Sequence, residues 1–130
     1  MKVFSNALKI ASPIFIIVGV LHLLFGARAD VMLGASISDS SLIDPVLDSQ
    51  NRFYGVTFTI YGFLLYLCST NLKQYKNVLL ILLWVFFAAG LARLVSISVV
   101  GVPSAPIMGL LVLELIIPPT LHYWYTRVVR

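Results

Sequence analysis

The chain has 130 residues, of which 60% are apolar and only 11% are charged, against about 25% charged in an average soluble domain. A domain this small exposes much surface relative to its core, so the composition excludes a water-exposed globule and points to a single domain, residues 1–130, in a bilayer. The net charge of +4 does not signal nucleic acid, because Lys2, Lys9, Lys73, Lys76, Arg127 and Arg130 stand at the ends of apolar runs instead of forming one basic footprint.

A span needs about 20 apolar residues to cross a hydrocarbon core of about 30 Å. Residues 6–26, 51–71, 78–100 and 107–126 meet that requirement. They predict an all-α polytopic membrane protein with four transmembrane helices in an antiparallel bundle. The first segment contains Pro13, and a helix starting there would have 14 residues up to Gly26, only about 21 Å of rise. The helix is therefore expected to begin earlier, with Pro13 in an early turn or at a mild kink. The segment also resembles a signal peptide, with Ala27-Arg28-Ala29 as an A-x-A site. Its apolar stretch is long for that purpose, and retention as a membrane anchor is expected. His22 lies four residues before Gly26.

An outer loop, "ARADVMLGASISDSSLIDPVLDSQ", fills residues 27–50 and carries Asp30, Asp39, Asp44 and Asp48. Asp44 can cap a helix whose first turn holds Pro45, and Asp48 and Arg52 then form a favourable i,i+4 pair. Along the second span, Asn51, Gly55, Phe58 and Gly62 make a stripe that permits close packing, with Tyr54 and Tyr61 alongside. Cys68 is the one cysteine, which rules out an intramolecular disulfide or a CxxC pair; a buried, inert thiol is expected.

The short basic "NLKQYKN" leads into the third span, where "AAGLARLVS" puts Arg93 inside an apolar run; the uncharged "GVPSAP" leads into the fourth, which contains Glu114, Pro118 and Pro119. A lone arginine at a helix centre costs about 2.5–3.5 kcal/mol on the insertion scale. Arg93 and Glu114 both lie about seven residues from the "GVPSAP" turn, so both sit about 10 Å deep and can face each other. Ala89 and Ser96 flank Arg93 by one turn, small enough to admit a partner helix. Pro118 removes the helical donor to the Glu114 carbonyl, which the guanidinium is expected to serve along with the carboxylate. The fourth helix should kink there. Tyr123, Trp124 and Tyr125 read as an aromatic belt at the inner interface.

Orientation follows from lysine and arginine. The N-terminus, the 71–77 loop and the C-terminus hold six basic residues and no acidic one, so both termini should be cytoplasmic. Known chemistries find no footing. The two histidines, His22 and His122, fall at opposite faces, too far apart for one haem iron; HExxH, a P-loop and G-x-S-x-G are missing. No metal, no cofactor and no catalytic activity are expected.

The strings "HLLFG", "SQNRFYG", "LARLVSISVVGVPS" and "LELIIPP" together resemble domain-of-unknown-function family 4345, small four-helix proteins of bacterial cytoplasmic membranes. The resemblance runs over roughly residues 7–126. It implies an inner-membrane setting and puts Arg52, Tyr54, Gly55, Arg93, Ser96, Gly101, Pro103 and Glu114 on motif positions, with no activity attached.

The expected function is a non-catalytic binding or scaffolding component of cell-envelope upkeep. His22, Arg52, Tyr54, Arg93, Ser96 and Glu114 are the candidate ligand-binding residues, forming an outward-opening polar pocket for an anionic amphiphile or membrane lipid. Two alternatives stand beside it. In a small transporter, Glu114 would be the coupling carboxylate, although small multidrug exporters place their glutamate in the first span, where this chain has His22. In a structural subunit, the ion pair would fix helix register, and Gly55, Gly62, Ala88 and Ala92 would pack across copies of a homo-oligomer, a trimer before a dimer.

Overall fold

The computed structural model describes residues 1–128 and is helical throughout, in the order α1 (Lys2–Phe25), α2 (Arg28–Met32), α3 (Asp39–Leu42), α4 (Pro45–Thr70), α5 (Lys76–Val100) and α6 (Ala105–Val128). Four of these, α1, α4, α5 and α6, are long and apolar enough to cross a membrane, which is the architecture of a multi-pass membrane protein. They alternate in direction. The start of α1, the end of α6 and the α4–α5 turn share one end of the bundle (the terminal end); α2, α3 and the α5–α6 turn share the other (the loop end).

The helices begin earlier than apolar length alone predicts. α1 starts at Lys2 because Phe4 and Leu8, both fully buried, extend its packed face beyond the span. Pro13 consequently sits well inside the helix and not in an early turn. Its missing N–H frees the Lys9 carbonyl, towards which the Ser12 hydroxyl donates at 3.5 Å. α4 starts at Pro45, with the Asp44 carboxylate accepting from the Leu47 N–H at 2.8 Å. Residues 45–50 are thus helical and not loop, and α2 and α3 structure much of the remainder.

α1 and α4 touch backbone to backbone. A Cβ added to Gly55 would lie 2.5 Å from the Leu23 nitrogen and 2.6 Å from the Gly19 carbonyl oxygen, and one added to Gly62 would lie 2.8 Å from the Ser12 carbonyl oxygen. Only glycine permits that approach, which brings the two helices into van der Waals register along most of their length. α5 and α6 form a second pair, closest at Gly90, where an added Cβ would stand 3.0 Å from the Glu114 Cβ.

The two pairs meet at the terminal end. Phe4, Leu8, Leu65, Cys68, Leu72, Leu79, Leu82, Leu83 and Tyr125 form one core there. Cys68 is free and buried, as expected. Side-chain hydroxyls stitch this end to backbone carbonyls: Ser5 to Ser69 at 2.6 Å, Tyr61 to Leu82 at 2.7 Å and Tyr125 to Leu72 at 2.9 Å. The expected aromatic belt is only partly one. Successive helical residues point about 100° apart, so Tyr123 faces outward while Tyr125 is fully buried and Trp124 packs edge-on against Phe4 with ring centroids 5.1 Å apart.

Candidate functional site

Towards the loop end the two helix pairs part and leave a cleft of about 500 Å³. Its deep walls are apolar, built from residues such as Phe15, Phe58, Phe86 and Ile117. The polar lining residues are His22, Asp30, Asn51, Tyr54, Arg93 and Glu114, together with the already engaged Tyr61. The polar groups thus gather at one level of the cavity, with Ile107 and Leu110 on its loop side and the longer apolar stretch towards the terminal end.

The central pair forms as charge and register require. Arg93 Nε donates to Glu114 Oε2 at 2.7 Å, with the arginine side chain 30% and the glutamate side chain 4% exposed. Two local features allow it. Gly101, at φ 118, ends α5 with its N–H on the Ile97 carbonyl, so the chain reverses within a short turn. Gly90, one turn before Arg93, lets α6 approach at the level of Glu114. The small residues that the sequence suggested for this role, Ala89 and Ser96, are exposed instead. The guanidinium bonds the carboxylate and not the carbonyl that Pro118 leaves without its helical donor, and α6 runs unbroken through both prolines. Among the described residues the Arg93 Nη groups and Glu114 Oε1 have no protein hydrogen-bond partner, yet no buried polar side-chain atom is left unsatisfied. These groups therefore open onto the cleft.

A second polar pair lies on the α1 side. His22 Nδ1 is 2.8 Å from the Val18 carbonyl oxygen and Nε2 is 3.2 Å from Asp30 Oδ1. A carbonyl can only accept, which assigns a proton to Nδ1. Asp30 reaches back because Gly26, at φ 55, turns the chain after α1 and starts α2. Asn51 is buried, with its amide donating to the Leu47 carbonyl at 3.1 Å.

His22, Tyr54, Arg93 and Glu114 thus line one cavity, and Arg52 and Ser96 do not. Ser96 is exposed on α5. Arg52 is occupied elsewhere: Nε and Nη2 donate to the Asp48 carboxylate at 2.7 and 3.2 Å, and Nη1 donates to the carbonyls of Leu23 and Leu24 at 2.7 and 3.2 Å. The last carbonyls of a helix lack intrahelical donors, and here the neighbouring helix supplies one. Gly26 lies directly beneath this arrangement, where a Cβ would collide with the Asp48 carboxylate. The hydrogen bond from Arg52 holds the Asp48 carboxyl, ahead of the membrane span, below its ordinary value of 3.8. The Asp48–Arg52 spacing is legible in the sequence, whereas nothing there signals that Arg52 caps α1.

Asp30, Asn51 and Gly90 belong to the site and were not among the sequence candidates. The signal for Asp30 was a turn-forming glycine between a histidine and the first acidic residue after it. The described residues bring together no group of three or more His, Cys, Asp or Glu able to hold a metal ion.

The strings singled out in the sequence are now contact surfaces. Leu23, Leu24 and Gly26 of "HLLFG" meet Arg52 and Gly55 of "SQNRFYG", and "LARLVS" meets "LELIIPP" through Arg93 and Glu114. No curated protein and no solved structure matches the chain. A family match does cover residues 3–125, nearly the full length, and by it the chain belongs to the family described as domain of unknown function (DUF4345).

Proposed function

We propose that the protein is a non-catalytic binding component of the bacterial inner membrane, serving cell-envelope upkeep by holding an amphiphile in the cleft. The amphiphile's chain lies between the helix pairs and its head lies among Arg93, Glu114, His22 and Asn51. The gathering of the polar groups at one level of an otherwise apolar cavity carries this reading. Its volume of about 500 Å³ falls among ligand pockets, which run to about 300–1,000 Å³. The Nη groups of Arg93 offer planar donors to a carboxylate or phosphate oxygen. The basic residues at the terminal end support cytoplasmic termini, which would put the head in the outer leaflet.

The test is native mass spectrometry with lipid extraction. Wild type should retain a co-purifying amphiphile. Arg93→Ala should lose it, and Ala11→Trp, which fills the apolar wall and spares the ion pair, should lose it as well. Arg52→Ala should retain it, since Arg52 lies outside the cleft. Equal retention by all four proteins would sink the proposal.

A further inference from the structure

The cleft's size and its unused hydrogen-bonding atoms specify the ligand more narrowly, on the basis of the amphiphile reading above. An apolar cavity of about 150 Å³ holds one benzene. A cleft of about 500 Å³ therefore holds at most roughly three such six-carbon units, or about eighteen carbons, fewer once the head is seated in it. That is one acyl chain and not two. It is also too little for a helix from another protein, since a cylinder 10 Å across and 20 Å long occupies about 1,600 Å³. The slot is deep enough for a single chain. From the polar level to the cleft's inner residues, α6 runs from Glu114 to Leu121, α5 from Arg93 to Leu83 and α1 from His22 to Leu8, or about 10, 15 and 21 Å of helical rise.

The head is constrained by what the protein leaves unpaired. Arg93 and Glu114 cancel one another, so the polar level presents a cationic and an anionic group side by side. Within it Arg93 keeps free Nη donors, while Glu114 Oε1, Asp30 Oδ2 and Asn51 Oδ1 have no hydrogen-bond donor among the described residues. A purely anionic head satisfies the arginine and faces the spare carboxylate oxygen with like charge. A head that carries an anionic group beside a primary ammonium satisfies both, because the ammonium brings three donors and no acceptor.

We propose that the ligand is a single-chain zwitterion, with its anionic oxygen on the Arg93 Nη groups, its ammonium on Glu114 Oε1 and one chain of no more than about eighteen carbons in the apolar slot.

The full chain in a non-ionic amphipol, titrated by native mass spectrometry, tests this with four probes: oleoyl lysophosphatidylethanolamine, its trimethylated choline counterpart, oleate and dioleoyl phosphatidylethanolamine. The first should form a 1:1 complex at least tenfold tighter than each of the others, because the choline head has no N–H donor, oleate has no cation and the dioleoyl lipid has a second chain. Glu114→Gln should reduce the preference for the ammonium head over oleate to less than twofold. Should that variant fail to fold, the ethanolamine-against-choline ratio on wild type carries the test alone. The choline counterpart, oleate or the dioleoyl lipid binding as tightly as the first probe would overturn the single-chain zwitterion and leave the amphiphile reading standing. No 1:1 complex with any probe would overturn both.

Discussion

The two ends of the bundle use the same four helices and treat them oppositely. At the terminal end, Phe4, Leu65, Leu79 and Tyr125 close a core without charges, and hydroxyls of Ser5 and Tyr125 are spent on carbonyls of the α4–α5 region. At the loop end, each helix pair stays intact but the pairs stand apart, with charged groups lining the gap. Closure therefore does not depend on how apolar the helices are, since all four are apolar enough to cross a membrane. It depends on which side chains can interlock. Bulky rings and leucines fill the terminal end, whereas Arg93, Glu114 and His22 cannot be pressed together without leaving charge or donors unserved.

Changes within a pair should outweigh changes between pairs, and the first prediction tests that. Gly55→Leu places a side chain where backbone atoms of α1 already stand, and overpacking against backbone belongs to the short list of changes that cost above about 4 kcal/mol. The thermal melt of the detergent-solubilised variant should show little folded protein; a melting point near wild type would break the comparison at its foundation. Next comes the ion pair. Arg93→Ala abandons a carboxylate that is only 4% exposed and should cost about 3–5 kcal/mol, while the double variant Arg93→Met, Glu114→Leu should recover most of that loss. A double variant as unstable as the single one would mean that the pair holds the helices together by more than charge balance.

A smaller effect probes the closed end. Tyr125→Phe removes the buried hydrogen bond to the Leu72 carbonyl and should lower stability by about 1–3 kcal/mol, with no change in retained amphiphile. Loss of the amphiphile would show that the two ends are coupled. The smallest is a pH effect at the α1–α4 junction. Asp48 has its folded value lowered by Arg52, so its stabilisation is complete above the ordinary value of 3.8 and disappears as pH falls through the lowered one. Wild type should be more stable than Asp48→Asn near neutrality and converge with it in acid. A gap that persists in acid after the folded-state Asp48 carboxyl has taken up its proton would assign the stabilisation to shape and not to charge.

These predictions rest on features of unequal visibility in the sequence. Four spans and the meeting of Arg93 with Glu114 could be read directly, because hydropathy and depth are properties of single helices and of one short turn. The Asp48–Arg52 pair was visible for the same reason, being local to one helix. What was hidden depends on which helix lies beside which. Arg52 as a cap for α1 requires the α1–α4 contact, and Asp30 reaching His22 requires the Gly26 turn. Gly90 looked like one more small residue until α6 was found against it. The early starts of α1 and α4 were also out of reach of hydropathy, since Lys2 and Pro45 are made helical by packing at one end and capping at the other.

The cross-helix cap on α1 has a consequence for biosynthesis. The glycine contacts and the Arg52 cap that fasten α1 to α4 are complete by residue 62, so the first hairpin can lock as soon as α4 leaves the translocon. Arg93 has no such early partner: it enters the bilayer 21 residues ahead of Glu114, and its insertion cost of about 2.5–3.5 kcal/mol stands until that residue is made. The nascent chain thus has one half already settled while the other waits for its counter-charge, which makes the interval between residues 93 and 114 the vulnerable stage of its synthesis.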